Sequence, residues 1–131
     1  RRIMPVLNEA IRKKIPLKIN LVKNKNKLVY PARDFVHIQD FLNIILKTIK
    51  KNISGFNIMN IGNGKLIYLD KIINIFEEKM SKKISYKKKL NSIGNYNYTL
   101  SNNLKLRKVL KYNFQFNLKD IIKSCIKKKI I

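Results

Sequence analysis

Acidic residues are scarce in this chain: 131 residues carry seven Asp and Glu against thirty Lys and Arg, a formal charge of +23. A single cysteine, Cys125, excludes an internal disulfide, and a single histidine, His37, leaves no ligand set for a structural zinc site. No apolar run approaches the roughly 18–20 residues that a membrane helix needs, so the chain reads as soluble. The near-absence of thiols fits a reducing, cytoplasmic setting. The opening RRIMPVLNEA has neither an initiator methionine nor the basic, apolar, small-residue order of a secretory signal, and it reads as part of something longer.

What is present is enough for one domain. A compact fold of this length buries roughly 65–70% of its unfolded surface, and the apolar fraction of 45% is ordinary for a globular protein. The positive charge has two readings. Clustered cations gain affinity for nucleic acid by displacing counterions from phosphates, so a small basic α/β nucleic-acid-binding module is one. The other is compositional drift: Ile, Lys and Asn make up about half the chain and only five of the thirty basic residues are Arg. The lysines are scattered and no stretch interleaves them with aromatics as a base-stacking surface would, which favours drift.

Periodicity gives an alternating order of elements. Residues 5–14 read as a helix with Val6, Ala10 and Ile11 inward, stopped by Pro16. Residues 17–22 read as a strand with Leu17, Ile19 and Leu21 on one face, followed by a polar loop at 23–27. A β-like run at 28–38 passes into a helix over 39–52, whose apolar stripe is Phe41, Leu42, Ile45, Leu46 and Ile49. Asp40 lies in its first turn, at the positive end of the dipole. A turn at Ser54-Gly55, an apolar strand and a glycine loop at 62–64 precede a helix with Leu69, Ile72, Ile73, Phe76 and Met80 inward. A strand at 84–89, a loop with a short extended piece, and a helix with Leu106, Val109 and Leu110 inward follow. The last helix is capped by Asn117 with Asp120 three residues on, and buries Leu118, Ile121, Ile122, Cys125 and Ile126. Strands alternating with helices make the class α/β.

Taken singly, few residues carry chemistry. His37, between Val36 and Ile38 in the β-like run, is more simply a structural residue than a general base, because that work needs a partner within hydrogen-bond reach. Arg33 and Asp34 pair most simply with each other at the strand's start. The functional reading of Arg33 is that a rigid guanidinium fork suits a phosphate or diphosphate. The sequence GNG at 62–64 lacks the third glycine of a dinucleotide fingerprint and reads as a turn.

Order and spacing say more. The succession IMPVLNEAIRKKIPLKI, RDFVHIQD, FNIMNIGNGK, an amphipathic helix, and IGNYNYTLSNNLKLRKVLKYNFQFNLKDIIK resembles the C-terminal substrate-binding part of the NAD-dependent epimerase/dehydratase family, the extended short-chain dehydrogenases that act on nucleotide sugars. RDFVHIQD is similar to that family's Arg-Asp-aromatic-aliphatic-His-aliphatic-x-Asp motif, and NIGNG to its Asn-aliphatic-Gly turn.

The resemblance implies an α/β fold for residues 1–131, the small substrate-binding lobe alone, with the Rossmann lobe that binds NAD and carries a Tyr-x-x-x-Lys pair absent. Tyr86-Lys87-Lys88-Lys89, within a lysine run, falls one position short of that spacing, since residue 90 is Leu. The resemblance implies that Arg33 contacts the substrate's diphosphate, that Ile19 and Asn20 lie beside the nucleobase, and that His37 and Asp40 shape the strand-to-helix junction. It also implies a nucleotide-sugar substrate and a homodimeric full-length enzyme. Where the family often has Arg-x-Gly-Asp, this chain has Ser92, Ile93, Gly94 and Asn95, so a second arginine is missing and Asn95 replaces the acid on the sugar side. A lysine among Lys87, Lys88 and Lys89 is the expected substitute cation. Asn102 stands where an aspartate is common, and Tyr68 where Ser or Thr would cap the next helix.

Overall fold

A computed structural model of the chain describes residues 2–90 and 97–127. Helix α1 (Ile3–Lys13) ends in a left-handed residue, Lys14, two positions before Pro16. Strand β1 (Leu17–Asn24) follows and turns back through Lys25-Asn26 into β2 (Lys27–Val29), so the expected polar loop is a hairpin turn. Strand β5 (Tyr86–Leu90) lies parallel on the other side of β1, giving a three-stranded sheet in the order β2-β1-β5. A second sheet has the order β4-β3-β6, with β3 (Ala32–Asp34) antiparallel to β4 (Leu66–Tyr68) and parallel to β6 (Tyr98–Thr99).

The larger core is built from three helices and one strand face. Met4, Leu7, Ala10 and Ile11 of α1 meet Leu17, Ile19 and Leu21 of β1. Ile72, Ile73, Ile75 and Phe76 of α3 (Leu69–Met80) and Ile121 and Ile122 of α5 (Leu118–Lys127) close over them. These are the inward faces that the two periodicities predict. Helix α5 starts on a capping box: Asn117 Oδ1 accepts from the N–H of Lys119 (2.8 Å) and Asp120 Oδ2 accepts from the N–H of Asn117 (2.9 Å). Tyr68, at the N-cap of α3, makes no side-chain capping bond.

A smaller core joins α2 (Ile38–Lys51) to α4 (Leu104–Leu110) through Ile44, Leu106, Leu110 and Tyr112, with Ile53, Met59 and Ile61 packed against them. Two expectations fail here. The residues expected inward on α2 are exposed, and its buried positions are Asp40 and Ile44. Residues 56–61 are extended, as expected, but pair with no strand among the described residues.

Candidate functional site

The 32–40 stretch places its charged residues in three different environments. Arg33 and Asp34 are successive on β3, so their side chains leave opposite faces of the strand and do not pair, contrary to expectation. Arg33 Nη1 instead donates to the Ala32 carbonyl at 2.7 Å. The half-buried side chain lines a cavity of about 180 Å³ with Ile3, Pro31, Phe35, Ile67, Leu69 and Ile72. A guanidinium has five N–H donors, and among the described residues Arg33 commits one of them, at the rim of an apolar wall.

Asp34 fastens two loops. Its Oδ1 accepts from the N–H of Asn63 at 3.0 Å, and its Oδ2 accepts from those of Gly64 at 2.9 Å and Ser101 at 3.2 Å. The glycine loop's N–H groups, which in a phosphate cradle would face a ligand, are therefore taken by a carboxylate. Gly62 is required by the closeness of this junction: a Cβ there would collide with Ser101 Cβ and lie 2.7 Å from Asp34 Oδ2. Gly64, at φ +75°, supplies the left-handed turn. Asn103 Nδ2 donates to the Gly62 carbonyl at 2.6 Å, and Arg107 Nε donates to Asn103 Oδ1 at 3.2 Å.

His37 is not in a strand. It is the N-cap of α2, its Nδ1 accepting from the Gln39 N–H at 3.1 Å, and its ring stacks on Phe116 with centroids 4.2 Å apart. Asp40 is fully buried, where its carboxyl accepts from the Tyr112 hydroxyl (2.7 Å) and from the N–H groups of Gln115 (2.9 Å) and Phe116 (3.2 Å). Burial pushes the Tyr112 phenol above its ordinary value, and the bond to Asp40 acts the same way.

The other expected site residues are dispersed. Ile19 is 1% exposed, its side chain in the larger core, so only its main chain borders the sheet surface. Asn20 is exposed on the opposite face of β1, in register with Lys89. Asn95, with Ser92, Ile93 and Gly94, lies outside the described residues. Of the three candidate lysines, Lys88 Nζ stands 5.3 Å from the ring centre of Tyr30, three residues before Arg33, and 5.7 Å from that of Tyr86. Its hydrogen bond with Tyr30 raises the Lys88 ammonium above its ordinary value. The position four residues after Tyr86 on β5 is Leu90, so this strand carries no Tyr-x-x-x-Lys pair. Sequence reasoning missed the roles of Asp34 and Asn103, for which a local pattern gives no signal.

No family model and no curated protein matches this sequence. Its fold does match solved structures. The UDP-glucose 4-epimerase from Bifidobacterium longum, in complex with NAD+ and UDP, superposes with a TM-score of 0.81 at 16% identity over 95% of this chain and 38% of that one. The UDP-glucose 4-epimerase from Stenotrophomonas maltophila, with bound NAD and formylated UDP-arabinopyranose, gives 0.84 at 14% over 96% and 38%. The UDP-Glc/GlcNAc 4-epimerase from Campylobacter jejuni gives 0.82 at 20% over 94% and 38%. The chain spans about two-fifths of the length of these enzymes. Its fold is that of the C-terminal part of the NAD-dependent nucleotide-sugar epimerases.

Proposed function

We propose that residues 1–131 are the substrate-binding lobe of an NAD-dependent nucleotide-sugar epimerase or dehydratase, and that Arg33 grips the diphosphate of the sugar nucleotide. On this reading the full enzyme oxidises a sugar hydroxyl by hydride transfer to NAD held outside this lobe, while the lobe fixes the nucleotide so that the reacting carbon meets the cofactor. The observation that carries the reading is Arg33 itself: one of five arginines among thirty basic residues, on a strand, with one donor committed among the described residues, at the edge of an apolar cavity.

The cavity's size supports a shared site. About 180 Å³ is below the roughly 300–1,000 Å³ of a complete small-molecule pocket, as expected when the remaining walls belong to another lobe. Lys88 is the best-placed substitute for the missing second arginine, since it lies over Tyr30 next to Pro31, which lines that cavity. Asn20, and Asn95 on the sugar side, complete the expected polar contacts. We also propose a soluble cytoplasmic enzyme that works as a homodimer.

Calorimetry on the full-length protein tests this. UDP-glucose, dTDP-glucose and GDP-mannose should bind in preference to oligonucleotides, and Arg33→Ala should weaken the best of them by roughly 10–100-fold, the loss of a charge-assisted contact worth about 1.5–3 kcal/mol. The melting temperature should change little. Unaltered affinity removes Arg33 from the site, and tight oligonucleotide binding that falls steeply with log salt would favour the nucleic-acid alternative.

A further inference from the structure

The sheet β4-β3-β6 has two faces of different chemistry. Arg33 leaves one of them with its register partners Ile67 and Thr99. On the other, Ala32 lies directly between its partners Tyr68 and Tyr98, so a small side chain separates two large flat ones. Ala32 is 1% exposed, while Tyr68 is 48% and Tyr98 60% exposed. Among the described residues neither hydroxyl takes a hydrogen bond, and neither ring meets another ring or a cation. A tyrosine that serves a core buries its ring and pairs its hydroxyl, as Tyr112 does with Asp40. These two do neither.

Cations stand at both flanks of this face. Beyond β6, Asn97 Nδ2 donates to the Lys23 carbonyl at 2.9 Å and holds the β1–β2 hairpin, with exposed Lys23, Lys25 and Lys27, beside Tyr98. Beyond β4, exposed Lys65 precedes the strand, and exposed Lys71 follows Tyr68 in the first turn of α3. Among the described residues, ion pairs join Lys13 to Glu9 and Lys83 to Glu77, and none of these five lysines is in one. The carboxylates on β3 and at the start of α3 are engaged: Asp34 accepts from Asn63, Gly64 and Ser101, and Asp70 from the Lys71 N–H at 2.8 Å. Lysines and aromatics that are not interleaved along the chain are interleaved in space.

We propose that the Tyr68–Ala32–Tyr98 face binds single-stranded nucleic acid, with bases stacked on the two tyrosines and phosphates met by the lysines at its flanks. Stacking on exposed sheet aromatics tolerates any sequence, because every base has a π-face. Spacing selects a single strand. The two tyrosines stand on strands two places apart, about 9–10 Å, whereas bases inside a duplex are held about 3.4 Å apart with their faces covered. Charge selects the polymer: a neutral glycan would stack on the same rings but leave five ammonium groups without counter-charges. The inference goes beyond the sugar-nucleotide reading and uses the face of β3 opposite Arg33. Binding should be weaker than that of the sugar nucleotide, with a Kd of roughly 10–100 µM at physiological salt, in the range of sequence-independent contacts.

Fluorescence anisotropy of labelled octauridine and octathymidine, titrated with the full-length protein, reads this directly. Both should bind at least ~10-fold more tightly than a duplex of the same length. Tyr68→Ala and Tyr98→Ala should each weaken octauridine roughly 5–100-fold and leave UDP-glucose affinity unchanged, while Tyr98→Phe, which keeps the ring, should bind as wild type. Lys23→Gln and Lys65→Gln, which leave the core untouched, should each reduce the slope of log affinity against log salt by about 0.7. Absence of oligonucleotide binding, equal binding of the duplex, or folded alanine variants that bind as wild type overturn the proposal. Capture of neutral cellohexaose in place of the oligonucleotide does so too, and would make the face a sugar platform. If an alanine variant fails to fold, the lysine variants decide, and unchanged slopes overturn the proposal. The two readings fail separately. Octauridine binding that ignores Tyr68 and Tyr98, with UDP-glucose binding intact, sinks this face alone. Unaltered UDP-glucose affinity in Arg33→Ala, with tyrosine-dependent octauridine binding, sinks the substrate site alone.

Discussion

The Tyr112 hydroxyl donates to Asp40 Oδ1 at 2.7 Å, tying the first turn of α2 to a segment 72 residues later in the chain. With the N–H groups of Gln115 and Phe116 on the same carboxyl, one buried side chain fixes where the chain runs between α4 and α5. The same run carries Phe116 onto the ring of His37, so the motif's histidine and second aspartate both hold one crossing strand of backbone.

Removing the hydroxyl alone should be moderately costly. Tyr112→Phe leaves Asp40 with two of its three donors and should destabilise by about 1–3 kcal/mol. Asp40→Ala orphans three donors at once and should cost at least ~3 kcal/mol. Urea denaturation checks both, as a lower midpoint with little change in slope. Equal costs for the two variants would mean that the backbone donors find other acceptors.

At the glycine junction the limiting factor is space. Gly62→Ala should destabilise by roughly 1–3 kcal/mol, because its Cβ meets Ser101 and Asp34. Pairing it with Ser101→Gly removes the colliding Cβ and hydroxyl and should recover part of the loss, the 2.7 Å approach to Asp34 Oδ2 remaining. Thermal melts of the two single variants and the double variant form the required cycle.

Glu77 gives the fold an acid-sensitive joint. Burial acts to raise its carboxyl, but the Ile84 N–H at 2.7 Å and Lys83 Nζ at 2.9 Å outweigh it, and the net shift is downward from 4.5. A depressed folded-state value means the stabilisation is complete above 4.5 and is lost as pH falls through the lower folded value. Wild type should therefore lose stability on acidification below that point more steeply than Glu77→Gln. Parallel pH profiles of melting temperature would remove Glu77 from this role.

Arg33→Lys separates charge from geometry. Lysine keeps the cation but not the planar fork, so UDP-glucose affinity in the full-length protein should fall roughly tenfold. Affinity equal to wild type would mean that a point charge suffices.

Much of the fold was legible in local pattern. The inward faces of α1, β1, α3, α4 and α5 follow from periods of 3.6 and 2, and the Asn117–Asp120 cap from residue type and spacing. Pattern could not reveal what meets each face. Periodicity marked α2 as amphipathic, and the fold turned its stripe outward: among the described residues it is the face of Asp40 and Ile44 that is buried against the rest of the protein. Likewise 56–61 has strand composition, yet a strand exists only where another backbone accepts its hydrogen bonds.

The site divides the same way. The sequence by itself determined that Arg33 is a rare fork donor and that RDFVHIQD gathers an arginine, two aspartates and the one histidine in a lysine-rich chain. Only the tertiary structure decided that Arg33 and Asp34 part company, that Asp34 fills the glycine loop, and that His37 caps a helix. The physical reason is that a strand residue's neighbour in sequence points to the opposite face, while its hydrogen-bond partners come from loops some 30 and 67 positions away.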